Sequence, residues 1–100
     1  MPRKEYKFYV YIISNKKNGT LYIGMTNDIE RRIYEHKKGL IEGFSKQYHL
    51  TRMIHVEFFK YINDAIKREK QLKNWNREWK INLIEKENQK WEDLAKDWFD

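Results

Sequence analysis

A chain of 100 residues, 40% hydrophobic and 16% aromatic, has enough apolar surface for one compact core and too little length for two, which argues against general disorder. With 21 Lys and Arg against 15 Asp and Glu, the net charge is +6 and the isoelectric point about 9.5; this favours polyanionic partners, nucleic acid first among them. Cysteine is absent, which removes disulfides, thiolate metal sites and a thiol nucleophile together. No apolar run approaches the length of a membrane span, and Met1-Pro2-Arg3-Lys4-Glu5 is not followed by a signal-peptide core, so the cytoplasm is expected and a membrane partner is not.

Tyr6 to Ile13, rich in aromatic and β-branched types, reads as a buried strand. Ser14 to Gly19 is a turn, with Asn18-Gly19 supplying the positive φ angles of a hairpin, and Thr20 to Met25 is the returning strand. Asn27 reads as a helix N-cap with Glu30 completing a capping box. That helix runs to about Lys38, and Gly39 stops it. Leu40 to Leu50 is a loop with room for one helical turn, and Thr51 to Phe59 is a third strand. Asn63 is expected to cap a helix from Asp64 to about Asn74, and Asn76 another from Arg77 to Lys86. Trp91 to Trp98 reads as a short helix or an acidic tail. The order β-β-α-β-α-α implies an α+β domain, a small three-stranded antiparallel sheet flanked by helices. Residues 1–90 form its body, and 91–100 pack on or trail it.

Both long helices near the sheet break their apolar stripes with ionisable residues. Ile29, Arg32, Ile33 and His36 share one face of the first helix. In the second, Glu69 lies within a stripe of Ile62, Ala65, Ile66 and Leu72. A buried carboxylate must be paired, metal-bound or at the edge of a cleft. The structural alternative is an Arg32–Glu69 ion pair tying the helices together; a site is the other reading. On the strands, Tyr9, Tyr11 and Ile13 share a face, as do Tyr22 and Gly24, so Tyr11 and Tyr22 become neighbours if the register allows. Gly24 weakens a strand and marks a bulge or a close backbone approach.

Tyr22-Ile23-Gly24 is a literal YIG, Tyr9-Val10-Tyr11 precedes it, Arg32 and His36 follow on one helix face, and Glu69 stands on a later helix. This constellation resembles the GIY-YIG nuclease superfamily, in particular its small single-domain bacterial members. Arg68-Glu69-Lys70-Gln71-Leu72-Lys73 is similar to that subfamily's second helix, and Asn88 to Leu94 to its Asn-Pro-x-Trp-x-x-Leu element, with Gln89 in place of Pro. The resemblance implies an endonuclease that hydrolyses phosphodiester bonds to a 5′-phosphate and a 3′-hydroxyl. It implies that Glu69 binds one divalent cation, Mg²⁺ or Mn²⁺, and that Arg32 holds a non-bridging phosphate oxygen. It implies that Tyr22, or a water beside it, helps to generate the attacking hydroxide, and that Tyr11 and His36 orient water and phosphate, His36 also as a proton relay. Tyr9 replaces the Gly of GIY, and Met25 follows YIG where some nucleases of the family carry a Lys. The family's late active-site Asn falls on Asn82 or Asn88.

The expected partner is nucleic acid, DNA ahead of RNA, held through Lys16 and Lys17 on the hairpin turn, Lys37 and Lys38 after the first helix, and Lys70 and Lys73 on the second. Trp75, Trp79, Trp91 and Trp98 stack on bases or pack the C-terminal helices. With no room for a targeting domain, specificity would come from substrate structure, a protein partner or a homodimer. The competing function is a non-catalytic module that recognises branched or damaged nucleic acid through the same cleft.

Overall fold

A computed structural model describes residues 7–99. Three strands, β1 (Phe8–Ser14), β2 (Leu21–Thr26) and β3 (Arg52–Phe59), form one antiparallel sheet in the order β2-β1-β3. The helices are α1 (Ile29–Lys37), the single turn α2 (Phe44–Gln47), α3 (Ile62–Asn74) and α4 (Arg77–Glu87). The architecture is the α+β sheet with flanking helices that the pattern of elements predicts.

The central strand is covered on both faces, which explains why its sequence reads as an unbroken apolar run. Val10 and Ile12 point to one side and pack with Ile23, Ile54, Ala65, Leu72, Ile84 and Trp91 beneath α3 and α4. Tyr11 and Ile13 point to the other and pack with Ile29, Ile33, Leu50, Met53 and Ala95 beneath α1. A bulge at Ile12/Ile13 in the pairing with β3 places Ile12 opposite His55 and Ile13 opposite Met53.

Helix ends depart from expectation in two places. The α1 cap is Asp28, not Asn27: the Asp28 carboxylate accepts from the Arg31 N–H. The α3 cap is Tyr61, with no side-chain hydrogen bond, so Asn63 lies inside the helix, and Ile62 is 47% exposed and off the buried stripe. Asn76 caps α4 through the Trp79 N–H, as expected. Gly39 takes φ 67°, and the Gly39 and Leu40 N–H groups donate to the His36 and Glu35 carbonyls, a Schellman ending for α1. In the hairpin turn Asn18 adopts a left-handed φ of 61° while Gly19 does not.

Residues 91–99 form turns in place of a regular helix. They are nonetheless built into the fold. Trp91, at φ 57°, is fully buried, and its indole N–H donates to Glu85. The Asn88 amide donates to the Ile54 and Glu92 carbonyls and accepts from the Glu92 N–H. Asp93 accepts from the Met53 N–H at 3.1 Å and the Ala95 N–H at 3.0 Å, and pairs with Lys37. Replacing Asp93 with Ala leaves these donors without their acceptor, and a loss of about 2–4 kcal/mol is expected. Urea unfolding of Asp93→Ala measures it; a loss below about 1 kcal/mol would mean the clip carries little of the fold. Among the described residues, no helix is long and apolar enough to cross a membrane.

Candidate active site

The strand register gathers the tyrosines. Tyr11 stands opposite Gly24 and Ile13 opposite Tyr22, so Tyr11 and Tyr22 are diagonal neighbours on one face, with ring centroids 6.5 Å apart. The absence of a side chain at position 24 is what admits Tyr11. A Cβ there would lie 2.4 Å from the Tyr11 hydroxyl and 2.5 Å from Cζ. Of the two meanings the glycine carried in the sequence, the close approach is the one realised.

The α1 stripe is as expected. Ile29 and Ile33 bury against this face and bring His36 with them, 4% exposed. His36 Nε2 shares a 2.9 Å hydrogen bond with the Tyr11 hydroxyl, and Nδ1 another of 2.9 Å with Ser45 Oγ. A neutral imidazole has one donor and one acceptor nitrogen, so the two bonds saturate it and give the Ser45–His36–Tyr11 chain a single polarity. His36 also lies 5.8 Å from the Tyr22 ring.

Burial, and then the Arg32 guanidinium, push the His36 pKa down from 6.5 to about 4 against an opposing effect of Glu35. His36 is therefore neutral at pH 7. Burial and the neighbouring Tyr22 raise Tyr11 to about 12, with Glu69 adding to the rise and Arg32 opposing it. Tyr11 is thus a hydrogen-bonding hydroxyl across the whole physiological range. That both Arg32 and Glu69 act on Tyr11 brings all five expected residues into one electrostatic neighbourhood, although they come from β1, β2, α1 and α3.

The low His36 value has a measurable consequence. The unfolded chain, with His36 near 6.5, binds more protons than the folded one between pH 6.5 and about 4, so stability falls as pH drops through that window. A shift of this size amounts to about 3 kcal/mol by the bottom of the window. Glu57, lowered from 4.5 to about 2, loses its contribution only below pH 4.5, so the interval above that value isolates His36. Wild type should lose melting temperature between pH 6.5 and 4.5, and His36→Gln should be flatter. Parallel curves would contradict a buried neutral imidazole.

Arg32 and Glu69 do not pair with each other. Arg32, with a side chain 39% exposed, meets Glu35 at 3.5 Å, and Glu69, 21% exposed, meets Lys73 at 3.5 Å. The structural alternative of an interhelical ion pair is therefore not realised. Glu69 is a half-buried carboxylate whose only described salt bridge is a long one to an exposed lysine on its own helix. Among the described residues no group of three or more His, Cys, Asp and Glu is arranged to hold a metal ion. A single carboxylate still fits a magnesium-type ion, which keeps several waters and commonly takes one or two carboxylates plus substrate phosphate.

The remaining residues divide. Lys16 and Lys17 are exposed on the hairpin turn, which Arg77 ties to the start of α4 by donating to the Asn18 and Gly19 carbonyls at 2.8 and 2.6 Å. Lys70 and Lys73 are exposed on α3, and Lys38 lies over the Tyr34 ring. Lys37 is different: its ammonium bonds the Thr51 carbonyl and pairs with Asp93, so it is committed to the fold. The Asn88 amide is likewise spent on backbone partners, while Asn82 is exposed on α4. Trp91 is core and Trp75 packs against it, whereas Trp79 and Trp98 are substantially exposed.

Sequence reasoning missed Ser45, and it missed the exposed rings beside the site. Phe44 lies nearly parallel to Tyr22 at 6.5 Å, and Tyr48 lies 4.7 Å from Phe44. These residues sit in an aperiodic stretch, where only the folded position of α2 reveals that they border the tyrosines.

Comparison with known proteins shows the family. Residues 7–82 match the model of the GIY-YIG catalytic domain. A UPF0213 protein of Staphylococcus saprophyticus is 36% identical over 78 residues, covering 78% of this chain and 94% of its own length. One from Clostridium perfringens is 33% identical over 89 residues, covering 89% and 95%. The solution NMR structure of a UPF0213 protein from Bacillus halodurans superimposes with a TM-score of 0.56 at 26% identity, covering 91% of this chain and 97% of that one. The chain belongs to the GIY-YIG family.

Proposed function

We propose that this protein is a divalent-metal-dependent endonuclease that hydrolyses phosphodiester bonds in nucleic acid, DNA in preference to RNA, with little sequence specificity of its own. The observation that carries the reading is Glu69. It is a half-buried carboxylate beside Tyr11, left without a buried cation while Arg32 turns to Glu35.

The residues then divide the work. Glu69 holds a Mg²⁺ or Mn²⁺ ion, which when bound supplies Lewis-acid stabilisation of charge on the scissile phosphate. Arg32, partly exposed at the rim, binds a non-bridging phosphate oxygen and offsets transition-state charge. Tyr22, less buried than Tyr11, takes or relays the proton of an attacking water. Tyr11 keeps its proton, so its part is to orient Tyr22 and the phosphate by hydrogen bonding. His36, with both nitrogens engaged, acts through Tyr11 and not on the substrate. Lys16, Lys17, Lys38, Lys70 and Lys73 neutralise backbone phosphates along the flanks, and Phe44 and Tyr48 offer planar faces to bases beside Tyr22.

Incubation with labelled duplex, single-stranded, flap, nicked and branched DNA and RNA, with Mg²⁺ or Mn²⁺, tests the reading. Cleavage should appear with metal, vanish with EDTA, and fall about 100- to 1,000-fold in Arg32→Ala. If folded wild-type protein cleaves none of these substrates yet binds them in a salt-dependent way, the protein is a binding module and the catalytic reading is wrong.

A further inference from the structure

On the sheet face opposite the tyrosines, three ionisable residues form a cluster that the reaction does not use. The Arg68 guanidinium grips the Glu57 carboxylate with two bonds, Nε to Oε1 at 2.8 Å and Nη2 to Oε2 at 3.0 Å. Glu57 Oε2 also meets His55 Nε2 at 2.7 Å. The fork of Arg68 is held from two further sides: Nη1 donates to Gln71 at 2.7 Å, and the Trp75 ring lies 5.2 Å from the guanidinium carbon. His55 is buried and Glu57 and Arg68 are half-buried, so this is a partly shielded, bidentate clamp between β3 and α3.

The helix it grips is otherwise held to the sheet mainly by Ala65 and Leu72, both fully buried; its first turn has no side-chain cap and Ile62 is exposed. Between those two, on the same stripe, stands Glu69. A half-buried carboxylate gains hydration whenever the helix rolls it toward water, and the 3.5 Å contact with exposed Lys73 rolls with it and does not resist. Helix α3 crosses all three strands. Arg68 and Glu69 are adjacent residues, so they leave the helix about 100° apart. Anchoring Arg68 on β3 therefore helps to set the roll of α3, and with it the position of the Glu69 carboxylate whose charge acts on Tyr11. The bidentate geometry suits this task, because a fork fixes orientation where a point charge would only hold distance.

We infer that Glu57 and Arg68 are positioning residues for the Glu69 metal ligand, a clamp that fixes the roll of α3 from the opposite edge of the sheet. This rests on Glu69 binding the cation under the proposed function.

The test is a Mn²⁺ titration of the full chain without nucleic acid, followed by paramagnetic broadening of the Gly24 and Lys70 amide signals, in parallel with the Mg²⁺ dependence of cleavage. Glu57→Gln and Arg68→Lys preserve size and should fold. Both should need about tenfold more metal for half-broadening and for half-maximal cleavage, with kcat at saturating metal within about twofold of wild type. The double variant should be no worse than either single one, since each breaks the same clamp. Asp93→Ala, destabilised at a clip that touches none of Glu57, Arg68 and Glu69, should leave the metal curve in place, so lost stability alone does not reproduce the effect. Curves for Glu57→Gln and Arg68→Lys that coincide with wild type, or move no further than that of Asp93→Ala, would overturn the clamp while leaving the nuclease reading intact. If Glu69→Gln also coincides with wild type, Glu69 is not the ligand, and the metal assignment fails together with the inference built on it.

Discussion

Gly24→Ala should cost both stability and activity. The new methyl would sit 2.4 Å from the Tyr11 hydroxyl and 2.5 Å from Cζ, so the ring must leave its place. Tyr11 is fully buried between Ile33 and its strand neighbours, and leaving breaks its hydrogen bond to His36. Overpacking plus the broken buried bond should cost about 2–4 kcal/mol, enough to lower the melting temperature by roughly ten degrees or more. A displaced Tyr11 also misdirects Tyr22, and cleavage should fall at least about a hundredfold even where the protein is folded. Differential scanning and rate measurements on one preparation separate the two losses. Adding Tyr11→Leu to Gly24→Ala should recover stability without recovering cleavage. An alanine variant with wild-type stability and rate would mean that the crowding of Tyr11 against this backbone plays no part in the site.

Glu69→Gln should do the opposite, abolishing activity while sparing the fold. The substitution keeps shape and removes charge. Cleavage should drop at least about a thousandfold, since a metal's stabilisation of phosphate charge is worth several kcal/mol. Stability should change by less than about 1 kcal/mol, or rise, because the carboxylate's visible partner is a lysine at 3.5 Å on an exposed helix face. A large loss of stability with residual cleavage would assign Glu69 to the scaffold instead of the chemistry.

The candidate site is more legible in the sequence than the frame around it. Arg32, His36 and Glu69 stand out because they break apolar helix stripes, and Tyr11 and Tyr22 because their triplets resemble the family's motif. Periodicity is a local signal, and it survives into the fold wherever a face meets the sheet. The helix starts were less legible. Asn27 and Asp28 are both good caps, and only the path of the chain out of β2 selects Asp28, whose carboxylate reaches the Arg31 N–H. At α3 the expected Asn63 was passed over because the helix begins two residues earlier, at Ile62. Lys37 looked like its neighbour Lys38, and what sets it apart is Asp93, fifty-six residues away. Ser45 and the Glu57–Arg68 clamp were illegible for the same reason: their meaning lies in partners brought together only by tertiary structure.

The turns after α4 also join the two halves of the core. Trp91 fills the core on one side of β1, Ala95 fills the one on the other, and Asn88 and Asp93 bond the start of β3. One segment of a few residues thus contributes to both layers at once. Any local opening of that segment loosens both faces of β1 together, so the amides of β1 and of the start of β3 should lose protection from hydrogen exchange as one unit.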